Sequence, residues 1–575
     1  MLEKLRRPLV ADALIVGGYL FASFAIFARL WKDFDGRLLA FTHADEQGFE
    51  WIILAASKLI ASGHNPLFTD WQNAPDGINV MAQTSVLGLS VPLIPLTLTL
   101  GPAFTFALLL SLAPALTAAA WYWLFSRHLV SSRLAAAIAG GLCGFCPPLI
   151  SHANGAHLNY IALFVLPFIL WWTIRLREPG RWLRNGAILG LLVTYQLFVG
   201  EEPLLVAALA IAVFLVAWAV MRPGEARTAA KPFFLGLGVA AAVTIVLSGY
   251  PLWFQFFGPQ SYGAIPHASR AGNDVFALTS FASQSLGGGH PVTGGLAMNP
   301  SEENGFLGWP LLVLALVVAV WMWRASVVAR AATVTGVFLL WASLGVEVVL
   351  DGRHTGIAGL WKLLANLPLV GSILPGRLVL AAVPAIAAVL ALATDRLLEV
   401  APQVKLVWFG ALAAVLLPIV PTLVETQQRP PVPVFFTSGD WKHYVTPGQT
   451  VLTIPPPNGS YAAPLRWQIV TDMEFSNVDG YFIGPHGEDR HGWYGAPVRP
   501  TTELLYKAWQ KGEVPAVTDA DRQRARDDLA FWKAGTIVLG PGHTHQAELL
   551  KTAEALFGPG RQVDDVWVWD LRNRS

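Results

Sequence analysis

Apolar runs long enough to cross a bilayer recur through the first 424 residues of this 575-residue chain, and they leave few folds open. About 20 apolar residues in a helix match a hydrocarbon layer roughly 30 Å thick. Only helices and closed barrels keep every backbone group bonded there. The first such stretch, about Val10 to Trp31, follows Lys4, Arg6 and Arg7. It exceeds the apolar region of a cleaved signal and lacks a small-residue cleavage site, so it reads as an uncleaved first helix. Ten more runs lie at about 103–125, 134–150, 158–174, 186–200, 203–221, 232–250, 306–323, 331–349, 377–394 and 405–424. The expected fold is a polytopic α-helical membrane protein of about 11 spans.

Charge separates a second region. Only 13% of the chain is charged, about half the share of a soluble domain. Of the 77 charged residues, 33 fall in the last 151 positions. The chain therefore divides into a membrane domain, 1–424, a stiff Pro-rich linker, 425–434, and a water-facing domain, 435–575. In that last part Thr450–Ile454 and Thr536–Gly540 read as strands, and Leu465–Ile483 as a hairpin turning near Asn477–Gly480. Asp519 caps a polar helix, a second helix covers about 545–557, and Gln562–Leu571 closes as a hairpin. A small α/β domain is expected. The net charge of +1 argues against nucleic-acid binding, and two cysteines exclude a disulfide scaffold.

The basic residues orient the spans. The run Ser85–Leu100 is short and holds Pro92 and Pro95. If it does not span, 16 of the 24 Lys and Arg before residue 425 collect in short loops on one side. The positive-inside rule asks for this arrangement. It puts the N-terminus in the cytoplasm of a plasma-membrane protein. The segments 32–102, 250–305 and 350–376, and the C-terminal domain, then lie outside.

Polar residues at or near membrane depth carry the functional signal. Asp45 and Glu46 open an amphipathic stretch with Phe49, Ile52, Ile53, Ala56 and Ile60 on one face, which suits the interface. A carboxylate there can serve as general base for a hydroxyl, or can simply favour a helix N-terminus. Asp70 and Asn79 sit among the turn sequences Asn65-Pro66 and Pro75-Asp76-Gly77, as structured loop or as lining of a polar cleft. His152 and His157, five apart with no third ligand, suit hydrogen bonding to phosphate or sugar better than a metal. Glu201 and Glu202 break a long apolar run. Arg377 opens a span, where it opposes the helix dipole and so calls for a partner such as an anionic phosphate. Cys143-Gly-Phe-Cys146 has redox spacing but an apolar setting, which favours packing. Asp33-Phe-Asp35 has the acids for a divalent cation but no further ligand. No metal cofactor is expected.

The order of these features resembles the GT-C superfamily of integral-membrane glycosyltransferases. The likeness is greatest to the bacterial members beside the lipid-A-sugar-transferase-like and YfhO-like groups. It rests on Asp45 early in a long first outer loop, Trp51, Asn65-Pro66-Leu67, Pro75-Asp76-Gly77-Ile78-Asn79, Gly144-Phe-Cys-Pro147, His157-Leu-Asn159, Leu166-Pro-Phe168, Gln196 with Glu201-Glu202, and Pro375-Gly-Arg377. Residues 10–424 carry it. In the tail, Arg466-Trp-Gln468 through Gly480-Tyr-Phe482 adds to it. The resemblance implies that Asp45 is the catalytic base, with Glu46 beside it as second choice. It also implies that Arg377 holds a donor phosphate and that the donor is a polyprenyl-phosphate sugar.

The expected activity is transfer of that sugar to a cell-envelope glycan or lipid outside the cytoplasm. Asp70, Asn79, His152, His157, Glu201, Glu202 and Arg377 are the candidate substrate-binding residues. A lipid-linked-sugar flippase and a non-catalytic subunit of a glycan pathway are the rival readings. The absence of an internal repeat speaks against the flippase.

Overall fold

The computed structural model describes residues 2–42, 44–263, 265, 272–288, 295–367 and 369–572. His43 and parts of the expected loop 250–305 lie outside the described residues. The helical part contains α1 (Leu2–Ile26), α2 (Asp45–Ala61), α3 (Pro102–His128), α4 (Arg133–Phe145) and α5 (Pro147–Asn154). It continues with α6 (Leu158–Ile161), α7 (Leu166–Arg175), α8 (Trp182–Val199), α9 (Glu201–Met221) and α10 (Pro223–Phe257). The helices α11 (Trp309–Met322), α12 (Val327–Ala342), α13 (Val379–Val400) and α14 (Lys405–Leu416) complete it. Among the described residues six helical segments are long and apolar enough to cross a membrane: Leu9–Ile26, Pro102–His128, Arg133–Asn154, Glu201–Met221, Pro223–Phe257 and Pro375–Val400. Four shorter apolar helices, Leu87–Leu100, Trp309–Met322, Val327–Ala342 and Lys405–Ile419, accompany them.

Several apolar runs of the sequence are not single continuous helices; the run at 134–150 divides into α4 and α5 at the extended Cys146. The run at 158–174 divides into α6 and α7, because Pro167 cannot donate an intrahelical bond and takes the first turn of a new helix. The run at 331–349 ends its helix at Ala342, after which Gly345 turns at φ +83°. Glu347–Leu350 is then extended and pairs with Arg353–Ala358.

Small residues bring the helices together where apolar side chains gain nothing from leaving lipid. Gly140 and Gly144 of α4 lie against α3: an added methyl would sit 2.8 Å from the Ala118 carbonyl and 2.5 Å from that of Pro114. Gly186 and Gly190 do the same for α8 on α10, 2.4 Å from the Gly236 carbonyl and 2.7 Å from Val243. Cys143 and Cys146, both buried thiols, belong to this packing.

Two short strands tie the helical part to the tail. β1 (Arg37–Leu39) pairs antiparallel with β2 (Thr426–Gln428), in register Leu38 with Gln427. Part of the expected Pro-rich linker is therefore sheet. Beyond it lies an α/β unit with a five-stranded mixed sheet. In it β3 (Thr450–Ile454) runs parallel to the edge strand β4 (Ser476–Asn477) on one side. On the other side β7 (Ala534–Leu539) runs parallel to β3. β9 (Val566–Asp570) and β8 (Arg561–Val563) then close the edge antiparallel. Between β4 and β7 a separate hairpin, β5 (Ile483–His486) and β6 (His491–Tyr494), leaves this sheet. Alternation covers both faces: Leu452, Ile454, Ile537 and Leu539 pack with Trp532 and Leu549, and Val451 and Val538 pack with Phe435, Phe436 and Trp467.

The expected hairpin over 465–483 is a correction. Residues Ala463–Val470 are helix α15, opened by Pro464 in its first turn. Asp472 and Met473 at φ +59° turn the chain into β4. The polar helix is Asp519–Trp532, and its cap is Thr518 rather than Asp519, in a reciprocal capping box with Asp521. Tail and first segment share buried contacts. Gln468 accepts from the Trp51 indole at 2.8 Å and donates to the carbonyls of Trp71 and Phe475.

Candidate active site

Asp45 is the first residue of α2, where a carboxylate favours the positive end of the helix. It does not cap that helix, so its oxygens are free to reach outward. The Tyr481 hydroxyl donates to Oδ1 at 2.5 Å, and His157 Nε2 lies 3.6 Å from Oδ2. His157 and His152 face each other through Nδ1 atoms 2.8 Å apart. His152 stacks on the Tyr160 ring at 4.6 Å, and the Arg377 guanidinium lies over that ring, 4.4 Å from its centroid. Asp45, His157, His152, Tyr160 and Arg377 therefore form one connected line.

Arg377 has the partners its position calls for, and they belong to the chain. It donates to Glu202 at 2.9 Å, to the Tyr160 hydroxyl at 3.0 Å and, through Nε, to Glu302 at 3.2 Å. A second guanidinium nitrogen also pairs with Glu302. Glu202 accepts in turn from the Leu374 backbone at 3.1 Å. Burial alone would raise the Glu302 carboxyl. The Arg377 charge and hydrogen bond overcome it and hold this group far below its ordinary range.

The remaining candidates separate from this line. Glu46 turns inward: it accepts from Leu39 N–H at 2.7 Å and faces Arg429 at 3.3 Å, with Glu50 sharing the same guanidinium. Burial, then the neighbouring Glu50 charge, raises the Glu46 carboxyl above its ordinary range, and the Arg429 charge opposes that rise. Asp70 is exposed and lines a cleft with tail residues such as Trp441 and Lys533. Asn79 is buried as a structural clip, accepting from Ala82 N–H and donating to the Phe254 carbonyl at 2.9 Å. Glu201 accepts from Gln255 at 2.9 Å. Asp33 accepts from Gly36 N–H and Asp35 pairs with Arg466 at 2.6 Å, so both are held structurally.

Three participants escaped the sequence reading. Glu302 follows Asn299-Pro-Ser, a turn in which the Asn299 side chain accepts from Ser301 N–H at 2.9 Å. A capped acidic turn between apolar runs was the available signal. Tyr481 stands inside a phrase singled out for its likeness and Tyr160 directly follows another, but only the fold brings both into the line from Asp45 to Arg377.

Behind Arg377 opens an apolar cavity of about 1490 Å³ between the helices. Its polar end is formed by Tyr160, Glu201, Glu202, Arg377 and Tyr262, and its walls by residues such as Trp121 and Phe214. Two carboxylates, Glu202 and Glu302, meet one guanidinium here, with Asp45 at the far end of the line. The corner carries excess negative charge.

Fold and site together define a polytopic membrane protein with a polar cluster at the mouth of an apolar cavity, overlain by a C-terminal α/β unit. An oligosaccharyltransferase from Archaeoglobus fulgidus, in a crystal structure with Zn and sulfate, superposes with a TM-score of 0.52 at 10% identity. The match covers 92% of this chain and 68% of that one. The same enzyme tethered to an acceptor peptide containing the NVT sequon gives 0.52 at 11% identity, over 95% and 71%. ArnT from Cupriavidus metallidurans in the apo state gives 0.46 at 12%, over 98% of both chains. No family model matches the sequence, and no curated protein does. The chain shares its fold with this archaeal oligosaccharyltransferase, in agreement with the resemblance in the sequence.

Proposed function

We propose that this protein is an integral-membrane glycosyltransferase that moves a sugar from a polyprenyl-phosphate donor to an acceptor glycan or lipid outside the cytoplasm. The observation that carries the reading is the line from Asp45 through His157, His152 and Tyr160 to Arg377, at the polar end of a cavity lined by apolar side chains. The cavity suits a lipid tail, and Arg377 and Tyr160 at its mouth suit the phosphate. Eleven spans, with the short basic loops in the cytoplasm, put this mouth and the α/β unit outside. Nucleotide sugars are not expected there, which favours a lipid-linked donor.

In this reading the acceptor hydroxyl approaches Asp45. Its oxygen attacks the anomeric carbon, the bond from that carbon to the phosphate oxygen breaks, and the electron pair leaves with the phosphate. Asp45 takes the hydroxyl proton. The excess negative charge of the corner opposes a phosphate. A divalent cation fits as its counter-charge: His152, His157 and Glu302 offer ligand atoms within 4.8 Å of one another. Both amide atoms of the neighbouring Asn154 are buried without partners among the described residues. When bound, such an ion would supply charge neutralisation at the phosphate.

Asp45→Asn keeps the shape and cannot take a proton at neutral pH. Transfer from polyprenyl-phosphate hexoses to envelope glycans should fall by about 10²–10⁴-fold, with donor binding and folding retained. Full turnover by this variant would remove Asp45 as the base. A flippase would instead move donor across vesicles whichever residue stands at 45.

A further inference from the structure

The donor-transfer reading leaves the tail without a role at the site, yet the tail places a side chain directly on Asp45. We propose that the Tyr481 hydroxyl occupies the acceptor-hydroxyl position on Asp45, so that Tyr481 decides between transfer to the acceptor and hydrolysis by water. The proposal rests on the Asp45 reading and adds a specificity-determining residue to it.

The contact is built from both sides. Asp45 and Gly48 lie three apart and so share a face of α2. The Tyr481 ring lies over Gly48: a methyl there would be 2.8 Å from the ring, so only glycine leaves it room. From that bed the hydroxyl reaches Asp45 Oδ1 at 2.5 Å, on the oxygen that His157 does not approach. The backbone that carries the ring is clamped. Tyr481 N–H donates to Gln72 at 2.8 Å, and Asp479 Oδ1 accepts from Gly480 at 2.8 Å and Ala496 at 2.9 Å. The Tyr494 ring lies parallel to that of Tyr481, 5.9 Å between centroids. Placement this specific, from residues far apart in sequence, goes beyond filling space.

A hydroxyl donating to a general base is the geometry an acceptor must reproduce. The phenol keeps its proton, because burial and then the adjacent Asp45 charge oppose its loss. Water is also a hydroxyl acceptor. If it took the Tyr481 hydroxyl's place on Oδ1, its oxygen would attack the anomeric carbon, Asp45 would take its proton, the carbon–phosphate-oxygen bond would break, and free sugar and polyprenyl phosphate would result. Tyr481 keeps that place filled until an acceptor, bound by its other contacts, turns the ring aside.

The experiment uses the full-length protein in detergent with polyprenyl-phosphate hexoses as probe donors. Tyr481→Phe keeps the ring and removes the hydroxyl. Without acceptor, release of free hexose should rise by roughly ten- to a hundredfold, the equivalent of one hydrogen bond to a charged group. With acceptor, the KM for acceptor should fall while the KM for donor holds, a split that a structural role for the tyrosine would not produce. In a second arm Asp45→Cys is labelled with a water-soluble maleimide. Cys143 and Cys146 are buried and stay silent. Adding Tyr481→Ala should speed this labelling several-fold. If the wild type transfers sugar but Tyr481→Phe releases no more free hexose, the proposal falls and the glycosyltransferase reading stands. If no form turns over donor, that reading falls and takes the proposal with it. Equal labelling with and without the ring overturns the proposal whatever the activity.

Discussion

Arg429→Met probes the joint between tail and helices most directly. The Arg429 side chain is 4% exposed, and those of Glu46 and Glu50 are each 1% exposed. The guanidinium donates to Glu50 at 2.8 and 3.0 Å, to Glu46 at 3.3 Å and to the Arg37 carbonyl at 3.2 Å. Arg466 is the nearest other cation, 3.9 Å from Glu50. Methionine fills most of the volume but leaves two buried carboxylates with one distant counter-charge. Removing one partner of a buried pair costs roughly 3–5 kcal/mol. Arg466 places this case toward the lower figure. The control is Lys442→Met, which removes an exposed pair with Glu474, both side chains about half exposed; such pairs are worth about 0.2–1 kcal/mol. Thermal unfolding in detergent, followed by tryptophan fluorescence, should show a drop of several degrees for Arg429→Met and almost none for Lys442→Met. Glu50→Gln added to Arg429→Met should restore part of the loss. Equal melting of the two single variants would mean that the cluster does not hold the first turn of α2 and the tail together.

Asp479 sets a pH dependence. Burial pushes its carboxyl from 3.8 up to about 7. The stability it contributes is therefore complete below pH 3.8 and is lost as pH rises through about 7. Melting temperature against pH should flatten across that interval in Asp479→Asn. Arg377→Ala should be costly to stability, by about 3–5 kcal/mol, because Glu202 and Glu302 lose their common partner; Glu302→Gln in the same chain should recover part of it on a melting curve. Millimolar Mn²⁺ or micromolar Zn²⁺ should raise the melting temperature of the wild type, since a ligand that binds only the folded state stabilises it, and should leave His157→Ala unchanged.

The helical layer was legible because lipid imposes one rule on every span: long apolar runs with basic residues between them. The edges of that rule mark where it failed. Pro167 and Gly345 are local breakers, and the apolar runs around them look continuous only when hydrophobicity is read without backbone chemistry. The tail strands Thr450–Ile454 and Ala534–Leu539 were readable from apolar, β-branched runs bounded by turns. Helix Ala463–Val470 was not, because its residues are buried on nearly every side and show no helical stripe. Asp45 could be singled out because an acid beside an interfacial helix is locally odd. Its neighbours could not: Tyr481 is 436 residues away in sequence, and Glu302 becomes informative only beside Arg377. Glu46 shows the same limit from the other direction. It is adjacent to Asp45, equally acidic and equally placed by spacing, yet one step along a helix turns a side chain by about 100°. That rotation sends Asp45 to Tyr481 and His157 and Glu46 into a buried pair with Arg429. Adjacent carboxylates at a helix start are thus divided by geometry into one group free to react and one that holds the helix in place.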